Sequence, residues 1–263
     1  MPYIAVDPSN GHEVRRFDSL SREEAQGAAD RCGEAQVEWA ATGFPARAEV
    51  LRRAADLLEA ESERWARLMA QEMGKPLAQG RSEAEKCASV LRYYADHGAD
   101  FLADRHVAVE GGRAGWSYRP LGVILAIMPW NFPFWQVFRM AAPTLMAGNG
   151  VLLKHAESVP GCARATQEIL LRAGVPEDLF QNLFLEVEDV EGLLDHDAIQ
   201  GVSLTGSVGA GKAVAAQAGA RLKRCVLELG GSDPYVVLSD ADPESALECI
   251  VTSRTLNAGQ SCI

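Results

Sequence analysis

From Leu121 onward the chain alternates short apolar runs with stretches of helix length, and this alternation constrains the fold more than any other feature. VILAIM precedes a helix over 133–147, GVLLKH one over 159–173, and NLFLEV a short helix. GVSLTG then leads into a helix over 208–218, and CVLELG ends the series. Strands joined through helices argue for a parallel sheet with helices on both faces. Such a sheet binds ligands where the C-terminal ends of its strands meet loops.

The preceding residues read as helical. Ser21 with Glu24 predicts a capping box opening a helix through Ala41. Pro45, at a first-turn position, opens a longer helix to Gly74 with Leu51, Ala55, Leu58, Trp65, Leu68 and Met69 as its apolar stripe. A third helix covers 82–103 and carries Tyr93 and Tyr94 as core residues. HVAVEGGRAGWSYRP then alternates like a two-stranded ribbon around Gly111 and Gly112. The sheet is expected to finish near Gly231, so that 232–263 begins a second domain.

Composition excludes several classes of partner. The chain has 263 residues, 48% of them hydrophobic and 23% charged, enough apolar material for a full core. A net charge of −11 argues against nucleic acid or an anionic membrane as the main partner. It leaves room for an anionic cofactor, which backbone N–H groups at a helix N-terminus can hold. The longest apolar stretch, 122–128, is too short to span a bilayer and runs into Pro129. The opening MPYIAVDPSNG lacks the regions of a secretory signal, which points to the cytoplasm. Six cysteines form no CxxC and no zinc-type spacing, so no metal is expected. Five of them, Cys262 apart, are expected to be buried in a reducing compartment.

Four motifs fall at predicted strand ends. LTGSVGAGKAV follows a strand and opens a helix, where Gly206 and Ser207 can meet a phosphate. GxGxxG is absent, and the P-loop pattern fails because position 213 is Ala and offers no hydroxyl for Mg²⁺. In PWNFP, two prolines fix the backbone around Asn131, whose amide either donates to an oxyanion or merely caps the next helix. In LELGGSDP, Glu228 stands in an apolar strand end, as a candidate base if buried or a structural carboxylate. Cys262 in NAGQSC is a candidate nucleophile, or a buried structural thiol.

In order and spacing, PWNFP, LLKHAES, LTGS, LELGG and NAGQSC resemble the aldehyde dehydrogenase superfamily along the whole chain. The implied fold class is α/β: a Rossmann-like parallel sheet with flanking helices, an N-terminal helical segment and the start of a second α/β catalytic domain. Residues 1–103 and 121–231 would form the NAD(P)-binding domain, 104–120 the oligomerisation hairpin and 232–263 an incomplete catalytic domain. The resemblance makes Cys262 the nucleophile, Asn131 an oxyanion donor and Glu228 the base that activates water. It places Lys154 and Glu157 at the adenine ribose, with Trp130, Gly206 and Ser207 elsewhere around the cofactor. A carboxylate at Glu157 suits ribose hydroxyls and repels a 2′-phosphate, which favours NAD over NADP.

LKHA with LELGGSDP resembles the succinate-semialdehyde dehydrogenase branch, although His155 replaces a usual proline and Ser232–Asp233 replaces a usual lysine-containing run. Arg139 and Trp135 become substrate contacts on that reading. Arg139 lies eight residues after Asn131, so both could face one tunnel mouth, its guanidinium gripping a far carboxylate or else a nearby acid. The expected activity is oxidation of an aldehyde, succinate semialdehyde foremost, by a homo-oligomer when full length. The family's chains run nearly twice as far, so this one reads as an N-terminal portion. Rival readings are a cysteine-dependent acyl or ester hydrolase and an inactive nucleotide-binding remnant.

Overall fold

A computed structural model describes residues 2–262, so the outer ends of the expected segments, at 1 and 263, lie outside the described residues. A strand pair comes first, contrary to the expectation of helix throughout the first hundred residues. β1 (Tyr3–Val6) and β2 (Glu13–Phe17) run antiparallel. Asp7 closes their turn by accepting from the Ser9 N–H at 2.8 Å, and Gly11 takes φ +76°. An Asx turn and a glycine free to adopt positive φ make this reversal local and inexpensive.

The helical layer follows. α1 (Arg22–Ala41) begins with both halves of the expected capping box, at 3.2 Å and 2.7 Å. The helix expected over 45–74 is two helices, α2 (Phe44–Ala60) and α3 (Ser62–Met73), broken at Glu61. The break lets α3 lie close against α4 (Leu77–Phe101), where a Cβ on Gly80 would stand 2.8 Å from Ala66 Cα. Packing, not a helix-breaking residue, sets that corner. Directly after Pro76, α4 starts earlier than the expected 82. Tyr93 is not core: it is 49% exposed and stacks with His97 and Phe101 on the outer side of α4. Tyr94 is half-buried against the core.

The ribbon is present as β3 (Arg105–Val109) and β4 (Gly112–Trp116), antiparallel and exposed along its whole length. The main sheet then builds from β5 (Val123–Met128), α5 (Trp135–Met146), β6 (Gly150–His155), α6 (Pro160–Ala173) and β7 (Phe180–Asn182). After a short 3₁₀ turn come α7 (Val190–Leu194), β8 (Ile199–Gly206), α8 (Val208–Ala220), β9 (Arg224–Leu229) and α9 (Pro243–Thr255). The strand order is β7-β6-β5-β8-β9, and every pairing is parallel. β7 lies earlier than the NLFLEV run suggests and shares only Asn182 with it; Leu183 still donates its N–H to Leu153 O at 2.8 Å, and its side chain and that of Leu185 are buried in the core.

Helices do cover both faces. Ala126, Met128, Val151 and Leu153 turn to the side of α2, α4, α5 and α6, while Val123, Leu125 and Leu152 turn to α1, α7 and α8. Two apolar clusters sandwich the sheet in this way, each buried Leu contributing about 2 kcal/mol. Cys32, Cys87 and Cys162 lie in these cores as expected, but Cys225 and Cys249 are exposed because β9 and α9 have little packed over them. No helix among the described residues is long and apolar enough to cross a membrane.

Candidate active site

Three adjacent strands, β5, β8 and β9, deliver their C-terminal ends to one hollow of about 330 Å³. Trp130, Asn131, Gly206, Ser207, Glu228 and Cys262 all line it. Ser207 directly follows β8 and caps α8, its Oγ accepting from Ala210 N at 3.1 Å. The hydroxyl proton stays available, as do the N–H groups of Val208 and Gly209 at the start of α8, which together make a site for an anion. Gly211, which fits the P-loop pattern by spacing, is a packing position instead: a Cβ there would stand 2.5 Å from Leu229 Cδ2.

The segment carrying Cys262 is seated on the PWNFP loop by amide side chains. Asn131 Nδ2 donates to Gln260 O at 2.8 Å, and Asn257 Nδ2 donates to Asn131 O at 2.8 Å and to Gln260 O at 3.0 Å. Asn257 and Ala258 both take left-handed backbone, φ 58° and 54°. Asparagine tolerates this region and alanine does so only at a cost. Asn131 Nδ2 has a second N–H, so one donor remains while the first fixes the loop. Asn131 makes no side-chain cap to α5. Cys262 is exposed at the hollow's edge.

Glu228 is not buried. Its side chain is 56% exposed, so burial supplies no reason for it to act as a base. Strand pairing sets it beside Thr205, and its carboxylate lies 3.7 Å from Arg139 Nη1. Arg139, expected to grip a far carboxylate or else a nearby acid, has Glu228 as such an acid, and its Nη2 reaches Thr205 Oγ1 at 3.4 Å. Arg139 lines a neighbouring hollow of about 480 Å³ rather than the one holding Asn131, and Thr205 and Glu228 border both. Trp135 lines neither; its ring lies under Lys86 Nζ at 4.0 Å and packs against the core.

At the end of β6, Lys154 is 7% exposed and its Nζ lies 3.3 Å from the exposed Glu157 carboxylate. Both stand apart from the residues lining the Cys262 hollow. Between them and the PWNFP loop sits His155, wholly buried. Its Nε2 is 2.9 Å from Pro133 O, and its Nδ1 accepts from Ala156 N at 2.8 Å. These partners select the neutral Nε2–H tautomer, and burial lowers its pKa to about 4.

Sequence reading missed three buried charges behind the site. Glu83, on α4, accepts the N–H groups of Phe134 and Trp135, each at 2.9 Å, and pairs with the buried Lys75. Burial pulls the Lys75 ammonium below its usual range, though Glu83 offsets part of that. Glu72, near the end of α3, accepts from Gly161 N at 3.0 Å and Cys162 N at 2.9 Å, and desolvation raises its pKa. A signal did exist: Glu83 lies four residues before Cys87 and eight before Leu91, on the buried face of its helix. Among the described residues no group of three or more His, Cys, Asp or Glu could hold a metal ion.

Residues 2–263 match the aldehyde dehydrogenase family. The chain belongs to that family. It is 47% identical over 263 residues to a probable succinate-semialdehyde dehydrogenase (NADP(+)) of Synechocystis sp., covering all of this chain and 58% of that protein. A succinate-semialdehyde dehydrogenase (NADP(+)) of Deinococcus radiodurans is 44% identical over 262 residues, with 100% and 55% covered. The structure of succinic semialdehyde dehydrogenase from Streptococcus pyogenes, in complex with NADP+ as the cofactor, superposes with a TM-score of 0.96 at 32% identity. That match covers 99% of this chain and 57% of the other. The chain therefore spans little more than half the length of these family members.

Proposed function

We propose that the whole protein oxidises an aldehyde to its acid with a nicotinamide dinucleotide, and that this chain supplies the cofactor-binding body together with the nucleophile. The observation that carries this reading is the meeting of Cys262, Asn131, Glu228, Gly206 and Ser207 around one hollow. The residues present fit a dinucleotide: the open first turn of α8 suits its phosphates, and Lys154 with Glu157 suits a ribose. The bound cofactor supplies a hydride acceptor.

The Cys262 thiolate attacks the aldehyde carbonyl carbon, and the free N–H of Asn131 Nδ2 holds the oxyanion that forms. One such donor lowers a barrier by roughly 3 kcal/mol. Loss of hydride leaves a thioester on Cys262. Glu228 takes a proton from the water that attacks this thioester, and the acid leaves as the thiol is restored. Its exposure gives Glu228 access to solvent, while Arg139 steadies the carboxylate.

Succinate semialdehyde is the substrate we favour, on the strength of the relatives, with Arg139 as the group for its far carboxylate. The ion pair to Glu228 supports a second reading, in which Arg139 only holds that glutamate. Arg139→Ala decides: the first reading requires KM for succinate semialdehyde to rise far more than KM for an uncharged aldehyde of similar length. The relatives also favour NADP over the expected NAD. Lys154 offers a physical reason, since it neutralises the Glu157 carboxylate that was expected to repel a 2′-phosphate. The exposed β3–β4 ribbon, with Val107, Val109, Trp116 and Tyr118 in solvent, is the surface we assign to a second copy of the chain. Six free thiols suit a reducing compartment, for which we propose the cytoplasm.

The reading is tested in two steps. Calorimetric titration of this chain should show binding of NADP+ and NAD+, weakened by Lys154→Ala; no binding of either would remove the cofactor role. In the whole protein, NADPH formation from succinate semialdehyde should vanish in Cys262→Ser. Release of acid from an ester without any dinucleotide, with no NADPH formed from any aldehyde, would instead establish a hydrolase.

A further inference from the structure

We infer that Glu72 and Glu83 are positioning residues, which set the two loops of the candidate site from behind; the inference rests on reading those loops as the cofactor and aldehyde site. The first N–H groups of any helix lack partners within it and need an acceptor from elsewhere. Neither α5 nor α6 has a side-chain cap of its own. Each directly follows a site loop: α5 follows the loop bearing Trp130 and Asn131, and α6 the loop bearing Glu157. Glu83 supplies the acceptor for α5, through Phe134 N and Trp135 N, and Glu72 supplies it for α6, through Gly161 N and Cys162 N.

Both glutamates are 4% exposed, where a carboxylate is costly unless its charge is used. Here the helix dipoles and four N–H groups use it. The fit is close on both sides. A Cβ at Gly161 would stand 2.3 Å from Glu72 Oε1, so the carboxylate occupies the space a side chain would fill. On the other loop, Lys75 pairs with Glu83 and places its Nζ 4.2 Å from the centre of the Phe132 ring, next to Asn131. Glu72 and Glu83 come from the two arms of one helical hairpin, α3 and α4, joined through Gly74–Pro76. One packed unit therefore fixes where both loops start their helices, and so the spacing between the aldehyde end and the ribose end of the site.

Hydrogen exchange of the purified chain, followed by mass spectrometry, separates this role from a merely structural one. Lys75→Met combined with Glu83→Leu replaces the buried pair by apolar groups of similar size, a change that by itself leaves a fold intact. Exchange in peptides covering 131–137 should then rise about tenfold, as for loss of a charge-assisted bond, while 156–164 keeps its protection. Glu72→Gln should do the reverse, and should also weaken NADP+ binding about tenfold. Glu72→Asp, which keeps the charge but shortens the reach, is the second variant for α6 and should show the same local loss. Unchanged exchange in both loops, or equal loosening of both by either change, would overturn the inference, as would unfolding of all variants. If the unaltered chain binds no NADP+, the reading of the site fails, and the exchange pattern still decides whether the glutamates position these loops.

Discussion

β6 and β9 belong to one parallel sheet and carry comparable apolar runs, yet every residue of β6 is buried and every residue of β9 is exposed. β6 lies under α1 on one side and under α5 and α6 on the other, so GVLLKH has cover on both faces. β9 leans on α8 through Leu229 and Gly211, and beyond it Val236 and Leu238 stand 72% and 66% in solvent. An apolar run thus specifies that a strand needs cover without specifying what supplies it. Contiguous exposed apolar surface of this kind marks a place of contact. The uncovered half of the comparison is also the half that carries Cys262.

The largest effect expected from that asymmetry is on catalysis. Chemistry at Cys262 needs alignment to within a fraction of an ångström, and an error of about 1 Å costs on the order of 10²-fold. The 263-residue chain alone should therefore oxidise succinate semialdehyde at least about 100-fold more slowly than the whole protein, measured as NADPH formation. A rate equal to that of the whole protein, sensitive to Cys262→Ser, would show that the exposed stretch is already organised.

Next in size is stability. Leu152→Ala in β6 should cost about 2–5 kcal/mol in denaturant unfolding, the usual cost of a core cavity. Val226→Ala in β9, at a site 60% exposed, should cost well under about 1 kcal/mol. Equal losses would mean that β9 is covered in solution.

A third prediction follows from His155 at the buried end of β6. Its pKa falls from 6.5 to about 4 on folding, so between these values the unfolded chain binds the extra proton. Stability is then full above pH 6.5 and declines as pH falls toward 4, by about 3 kcal/mol in all. Urea midpoints across this window should show the decline, and His155→Gln should flatten it. An unchanged slope in that variant would assign the acid sensitivity elsewhere.

The smallest effect concerns Glu157, the exposed member of the pair at that strand end. Glu157→Ser should alter the ratio of NADP+ to NAD+ affinity by no more than about fivefold, since the Glu157 carboxylate is largely exposed and solvent screens its pairing with Lys154. A much larger change in favour of NADP+ would restore the expectation that this carboxylate selects NAD.

What the sequence revealed divides along the same line. The capping box at Ser21, the strand–helix alternation and the ribbon at Gly111–Gly112 depend on near neighbours, and each is present. The grouping of Asn131, Ser207 and Glu228 could be anticipated because each sits at or just beyond a strand end, and parallel strands bring those ends together; Cys262 instead follows the 3₁₀ turn after α9 and joins them through the Asn131–Gln260 bond. Features set by distant packing were not legible. Nothing at Glu61 breaks a helix; the close approach of Ala66 to Gly80 does. Glu83 bonds to amides at Phe134 and Trp135, and Glu72 to amides at Gly161 and Cys162, partners that no window along the chain contains. Glu228 was misjudged for the complementary reason: its apolar neighbours suggested burial, but they are themselves uncovered.

The strand order bears on how the chain is assembled. β5, at the centre, is the first strand of the main sheet to leave the ribosome; β6 and then β7 add outward on one side, and β8 and then β9 on the other. No strand has to enter between two that are already paired. Each addition extends an open edge, and the return from β7 to β8, though the shortest connection between strands of this sheet, pairs β8 with β5 (Val123 with Ile199) across the widest sequence separation in it. Translation thus delivers the strands in the order the sheet can accept them, and the edge that receives β9 is the last to be built.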